Sequence, residues 1–152
     1  MHNYFSGISS STLDSSKESA VAASDYSVDL EGKGHYANIS DGRLKLRFIG
    51  IHRENGDKAS VRIDVALCFA EFGPPVDDGM KKHRLYGKGI DGPGFYEVSG
   101  STLKEQVMGS GGLGDWGHYV LVTEKGTLEF VSDLIEPQYV SLAESEPAEN
   151  TP

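Results

Sequence analysis

The chain has 152 residues, a hydrophobic share of 38%, one cysteine and a formal net charge of −9. That length suits one core. A lone Cys68 excludes an internal disulfide and a cysteine-rich metal cage, and the negative total argues against general binding to nucleic acid or anionic membranes, which need a cationic surface.

The first 24 residues hold eight serines and only scattered apolar side chains, so 1–24 reads as a disordered arm ahead of a single β-rich domain over 25–142. An acidic disordered tail is expected over 143–152. Met1 is not followed by a basic start and an apolar run, and no stretch is long and apolar enough to span a bilayer. The expectation is a soluble, cytoplasmic protein.

Period-two alternation begins at Tyr26, Val28 and Leu30. A turn at Glu31-Gly32-Lys33-Gly34 and a short return strand from His35 to Ile39 follow, and Ser40-Asp41-Gly42 supplies the next turn. Leu44, Leu46 and Phe48 then alternate with Lys45 and Arg47, predicting a strand with one wet face that runs to Arg53. Asn55-Gly56 predicts a two-residue hairpin turn, after which Val61, Ile63, Val65, Leu67 and Phe69 alternate without a break.

Gly73-Pro74-Pro75 ends that strand, because proline lacks the amide donor that a ladder requires. A polar loop is expected to about Lys82, with shorter strands at His83–Lys88 and Phe95–Val98 around Gly92-Pro93-Gly94. Thr102-x-x-Glu105 has capping-box spacing and Leu103 and Val107 share a helical face, so Thr102–Met108 reads as a short helix ended by Gly109. The last hairpin joins His118–Glu124 to Thr127–Leu134 through Lys125-Gly126. That turn sets Leu121 opposite Phe130, Val120 opposite Val131 and His118 opposite Asp133. Together these elements predict an all-β, mainly antiparallel sandwich or partly open barrel of about seven or eight strands with one short helix, and an α+β arrangement is the alternative.

Gly109, Gly111 and Gly114 form a literal G-x-G-x-x-G. A phosphate cradle needs a strand before the glycines and a helix after them. Here a helix precedes and a hairpin follows, so the glycines read as a connector; Gly87, Gly89 and Gly92 repeat the pattern by glycine abundance alone. The five histidines stand apart, with no pair at i, i+2 or i, i+4. No metal and no cofactor is expected.

His118 with Glu129 and Asp133 has the residue types for general acid–base work, yet no G-x-S-x-G supplies a nucleophile and Cys68 lies in mid-strand. A structural ion pair is the plainer reading. Lys45, Arg47, Arg53 and Arg62 make a basic stripe on the outer face of the first long hairpin, interrupted by Asp64, and Lys81, Lys82, His83 and Arg84 add a second cluster. Such charges can hold an acidic partner, a phosphate or the chain's own tail; a solvated face that discourages edge pairing is the bland account.

The functional expectation is a non-enzymatic protein-binding module, an acidic immunity- or inhibitor-type protein that meets a basic protein surface. Its contact residues would be Asp115, Glu124, Glu129 and Asp133, with Trp116, His118 and Tyr119 beside them. One alternative is a small-molecule-binding barrel or an enzyme, with Tyr86, Trp116, His118 and Tyr119 lining a pocket. Another is a structural subunit of an assembly, its arm wrapping a neighbour.

Overall fold

The computed structural model describes residues 16–29, 36–73, 85–108, 116–123 and 126–141. These form strands β1 (Ser19–Ala22), β2 (Tyr26–Val28), β3 (Tyr36–Ser40), β4 (Arg43–His52), β5 (Lys58–Gly73), β6 (Gly94–Ser99), β7 (Trp116–Thr123), β8 (Gly126–Asp133) and β9 (Gln138–Ser141), and helix α1 (Thr102–Met108). All strand pairs are antiparallel, in the order β1-β6-β7-β8-β5-β4-β2, with β3 also on β4 and β9 also on β5. The result is one sheet curled into a half-barrel, the partly open barrel expected from the alternation.

The two ends of the curl are consecutive on the chain. β1 pairs with β6, the Ala23 amide donates to the Phe95 carbonyl at 2.9 Å, and β2 then pairs with β4. The folded region therefore begins before residue 25, inside the stretch read as an arm. Composition hides this because edge pairing uses backbone groups, and among the described residues of this segment only Glu18 and Ala20 are buried.

Inside the curl, Leu44, Leu46 and Phe48 of β4 and Val61, Ile63, Val65 and Leu67 of β5 meet Phe95, Tyr119, Leu121, Leu128 and Phe130. The outer face of β1, β6 and β7 is covered too, by Leu85 and Ile90 packing on Ala20, Tyr96, Val98, Val120 and Val122. α1 covers the adjoining face through Leu103 against Phe69 and Val131. Burial on both faces explains why β7 reads as a nearly continuous apolar run rather than a clean alternation.

Four local expectations shift. Asn55-Gly56 is not a two-residue turn: His52 pairs with Asp57 around the loop Arg53–Gly56, the Asn55 side chain accepts the Asp57 amide at 2.9 Å, and only Gly56 has a positive φ, 77°. The true two-residue turn is Asp41-Gly42, with φ of 53° and 76°. β3 does not return along β2; both lie on the same edge of β4. In β5 the register shifts between Leu67 and Phe69, so Phe69 faces α1 while Ala70 rejoins the interior. Of the predicted strand His83–Lys88, the described part is a turn with a single bridge from Tyr86 to Ile90.

The last hairpin forms, with its turn centred one residue earlier than Lys125-Gly126, since Thr123 pairs with Gly126. Each residue therefore meets a partner two positions away from the one expected. An even shift keeps every side chain on its face. His118 lands opposite Val131, and Trp116 opposite Asp133.

Candidate functional site

His118 lies on the outer face of β7 between the two covering clusters, with its side chain fully buried. Nε2 is 2.5 Å from Glu129 Oε2 on β8, and Nδ1 is 2.6 Å from Ser101 Oγ, the residue before α1. A third side chain, Glu18, approaches to 3.8 Å of Nδ1 and accepts the Thr102 amide at 3.0 Å. Ser101 also caps the helix, its Oγ accepting the Lys104 amide at 2.8 Å. A neutral ring donating to Glu129 and accepting the Ser101 hydroxyl satisfies this geometry, and so does an imidazolium donating from both nitrogens.

Serine, imidazole and carboxylate in a line is the connectivity of an activated nucleophile. His118 and Glu18 have no exposed side-chain surface and Glu129 has 4%, whereas Ser101 is half-buried. Among the described residues no group of three or more His, Cys, Asp or Glu is placed to hold a metal ion. What the cluster does is tie four segments together: the N-terminal stretch, the start of α1, β7 and β8.

The other expected site residues scatter. Tyr119 points into the curl, 2% exposed, stacked on Phe95 and tilted against Phe130, so it packs the core instead of presenting an aromatic anchor. Burial pushes its phenol pKa up, and Asp133 and Glu97 add to that while a backbone bond to Ile135 opposes it. Trp116 is half-buried against the cluster of Leu103, Phe69 and Val131. Asp133 accepts the Ala66 amide at 3.0 Å beside the β5 irregularity. Tyr86 is exposed in the segment that carries Leu85 and Ile90, apart from the cluster that holds Trp116. Asp115 and Glu124 lie outside the described residues, as do Lys81–Arg84 and the glycines at 109, 111 and 114.

A different surface has the shape of a binding site. On the outer face of β3, β4, β5 and β9, one row runs Tyr36, Arg47, Arg62, Gln138, each directly opposite the next. The row below runs Asn38, Lys45, Asp64. From these rows Tyr36, Arg47, Arg62, Gln138, Lys45 and Asp64 line a groove of about 480 Å³, with Glu136 at its side. The Arg47 guanidinium lies 5.6 Å from the centre of the Tyr36 ring, and Arg62 Nε donates to Ser60 Oγ at 3.2 Å. Asp64 is engaged by Arg43, whose Nε and Nη2 both lie 3.0 Å from Oδ1. Arg47 and Arg62 thus stand directly opposite each other, with Lys45 beside them and Asp64 and Glu136 lining the same groove.

The stripe of Lys45, Arg47 and Arg62 was legible as alternation, whereas its concavity depends on β3 and β9 flanking the hairpin, which no local pattern announces. Glu18 had no local signal at all, sitting in a serine-rich stretch. No protein-family model, curated protein or solved structure matches this chain.

Proposed function

We propose that the protein is a non-enzymatic binding module that captures an anionic ligand in the groove between β3, β4, β5 and β9. The observation that carries this reading is the direct opposition of Arg47 and Arg62 in a concave surface, with the Tyr36 ring and the Gln138 amide at either end of the row. A carboxylate or phosphate between the two guanidiniums would gain charge-assisted, geometrically specific contacts from both. An enzymatic reading has less support, because in the Ser101–His118–Glu129 line the imidazole and the carboxylate are buried and only the serine is part-exposed. The acidic-face reading draws on Asp133, which already serves the Ala66 amide, on the internal Glu129, and on Asp115 and Glu124 outside the described residues.

Titration of the full chain with inorganic phosphate and with citrate at low ionic strength, followed by calorimetry and thermal melting, tests the proposal. Binding should raise the melting temperature, weaken with added sodium chloride and vanish in Arg47→Gln/Arg62→Gln. No response to either anion, or an equal response in the double variant, would refute the groove as an anion site.

A further inference from the structure

We infer that Ser101 is a nucleophile, its hydroxyl activated by His118 and Glu129 to take an acyl group from an activated ester. The groove plays no part in this step, which loads one acyl group per chain and so stands beside a binding role. The fold presents Ser101 at a corner between a strand and a helix: β6 ends at Ser99, Gly100 turns with a φ of 64°, and α1 starts at Thr102. Ser101 is half-buried there, while His118 and Glu129 behind it are buried. A nucleophile must meet its donor, whereas its base needs to reach only the nucleophile.

A serine oxygen carries one proton and two lone pairs. Ser101 Oγ accepts the Lys104 amide at 2.8 Å, which occupies one lone pair, and His118 Nδ1 lies 2.6 Å away as the acceptor for the proton. The second lone pair of Oγ is left for attack. With the neutral ring donating from Nε2 to Glu129 Oε2 at 2.5 Å, Nδ1 presents its own lone pair to the hydroxyl. Glu18 lies 3.8 Å from Nδ1, so a ring that takes up the serine proton sits between two carboxylates. The positive charge of the transfer is met where it develops. Capping α1 requires the Ser101 contact to Lys104 and nothing from the imidazole.

In the step, Oγ bonds to the ester carbonyl carbon as its proton passes to Nδ1. The bond from that carbon to the leaving oxygen then breaks, and the leaving group departs with the bonding pair and takes the proton from Nδ1. The products are O-acyl Ser101 and an alcohol. The amide after a nucleophile at such a corner would ordinarily meet the developing oxyanion, but the Thr102 amide donates to Glu18 at 3.0 Å. Reaction is therefore confined to donors with good leaving groups.

The test is to incubate the full chain with p-nitrophenyl acetate and, separately, with an alkyl fluorophosphonate, in which the same oxygen bonds to phosphorus and fluoride leaves, and to map the adducts by peptide mass spectrometry. Exposed Ser99 is the internal reference. In the folded chain Ser101 should be labelled at least about a hundredfold faster than Ser99, and urea should abolish the difference. His118→Gln should abolish it too, and Glu129→Gln should slow Ser101 about tenfold or more, both judged in variants that keep the native near-UV circular dichroism. Equal labelling of Ser99 and Ser101 in the native chain, acetyl groups on lysines alone, or a native rate in folded His118→Gln overturns the nucleophile. Should His118→Gln not fold, the comparison of the two serines in the native chain decides. Arg47→Gln/Arg62→Gln should label at the native rate, and phosphate that fails to bind while Ser101 is labelled refutes the groove alone.

Discussion

Replacing His118 with leucine tests whether the buried cluster holds the outer layer onto the sheet. The substitution removes the donor 2.5 Å from Glu129 and the partner 2.6 Å from Ser101 while filling a similar space with hydrocarbon. The Glu129 side chain is 4% exposed, so water does not readily take the place of the ring. Breaking one side of a buried pair costs about 3–5 kcal/mol, a large part of the roughly 5–15 kcal/mol that stabilises a typical domain. For a chain of this size that corresponds to a fall in melting temperature of about 6–20 °C. His118→Leu/Glu129→Leu removes both members and should recover much of the loss, as apolar replacements of buried pairs often do. Urea unfolding of the native chain, both single variants and the double variant completes a cycle, in which a coupling of about 1–3 kcal/mol is expected. Hydrogen exchange should show α1 and the segment from Glu18 to Ala22 losing protection first. A loss below about 1 kcal/mol for His118→Leu, or strict additivity of the two single variants, would refute the cluster as a tie.

The remaining predictions concern the same outer layer and the core beneath it. Ser101→Ala should cost about 0.5–2 kcal/mol by removing the cap on Lys104, measured by urea unfolding, and Ser101→Asp should restore the cap while adding a second carboxylate beside His118 and Glu18, so it should not recover the full stability. Gly100 has a φ of 64°, and a Cβ there would overlap the Lys17 carbonyl oxygen, so Gly100→Ala should cost about 1–3 kcal/mol and release β1, read as new proteolytic cleavage before residue 23. Burial raises the phenol pKa of Tyr119 above its ordinary 10.0, and burial together with Asp91 raises that of Tyr96. The folded state thus holds these protons to higher pH than the unfolded chain does. Their contribution is complete below pH 10 and is lost as pH rises through the folded values; Tyr119→Phe should flatten that decline in a pH series of melts, and an unchanged decline would contradict the burial.

The long alternating segments were legible because one face of each is in the core and the other in water: Leu44 to Phe48 against Lys45 and Arg47, and Val61 to Leu67 against Arg62 and Asp64. The capping box of Thr102-x-x-Glu105 marked α1, though the residue that caps is Ser101. Turn centres were less legible. In both long hairpins the turn lies one residue earlier than the dipeptide preference places it, because pairing across the whole strand outweighs the preference of two residues. His118 and Glu129 could be named as candidates, yet the choice of Glu129 over Asp133 depended on that register. Glu18 depended on the path of an edge strand, which leaves no mark in composition.

The irregularity in β5 links the fold to the proposed site. A strand of 16 residues with uninterrupted alternation would keep one face inward throughout. At Cys68 the parity changes, and three consequences follow from that one step. Phe69 turns out to meet Leu103, which gives α1 its apolar seat. Ala70 and Phe72 turn inward, which carries an aromatic ring to the mouth of the curl. The strand also changes partners, lying against β4 from Lys58 to Ala66 and against β8 from Leu67 onward, so its first half bears the basic row and its second half the apolar wall. Regular alternation through Cys68 would instead turn Phe69 inward and send Ala70 and Phe72 to the outer face, emptying the mouth. The same local feature therefore divides one strand between a charged outer row and an apolar inner wall, and it does so with residues whose spacing, taken as plain alternation, places them all on one wall.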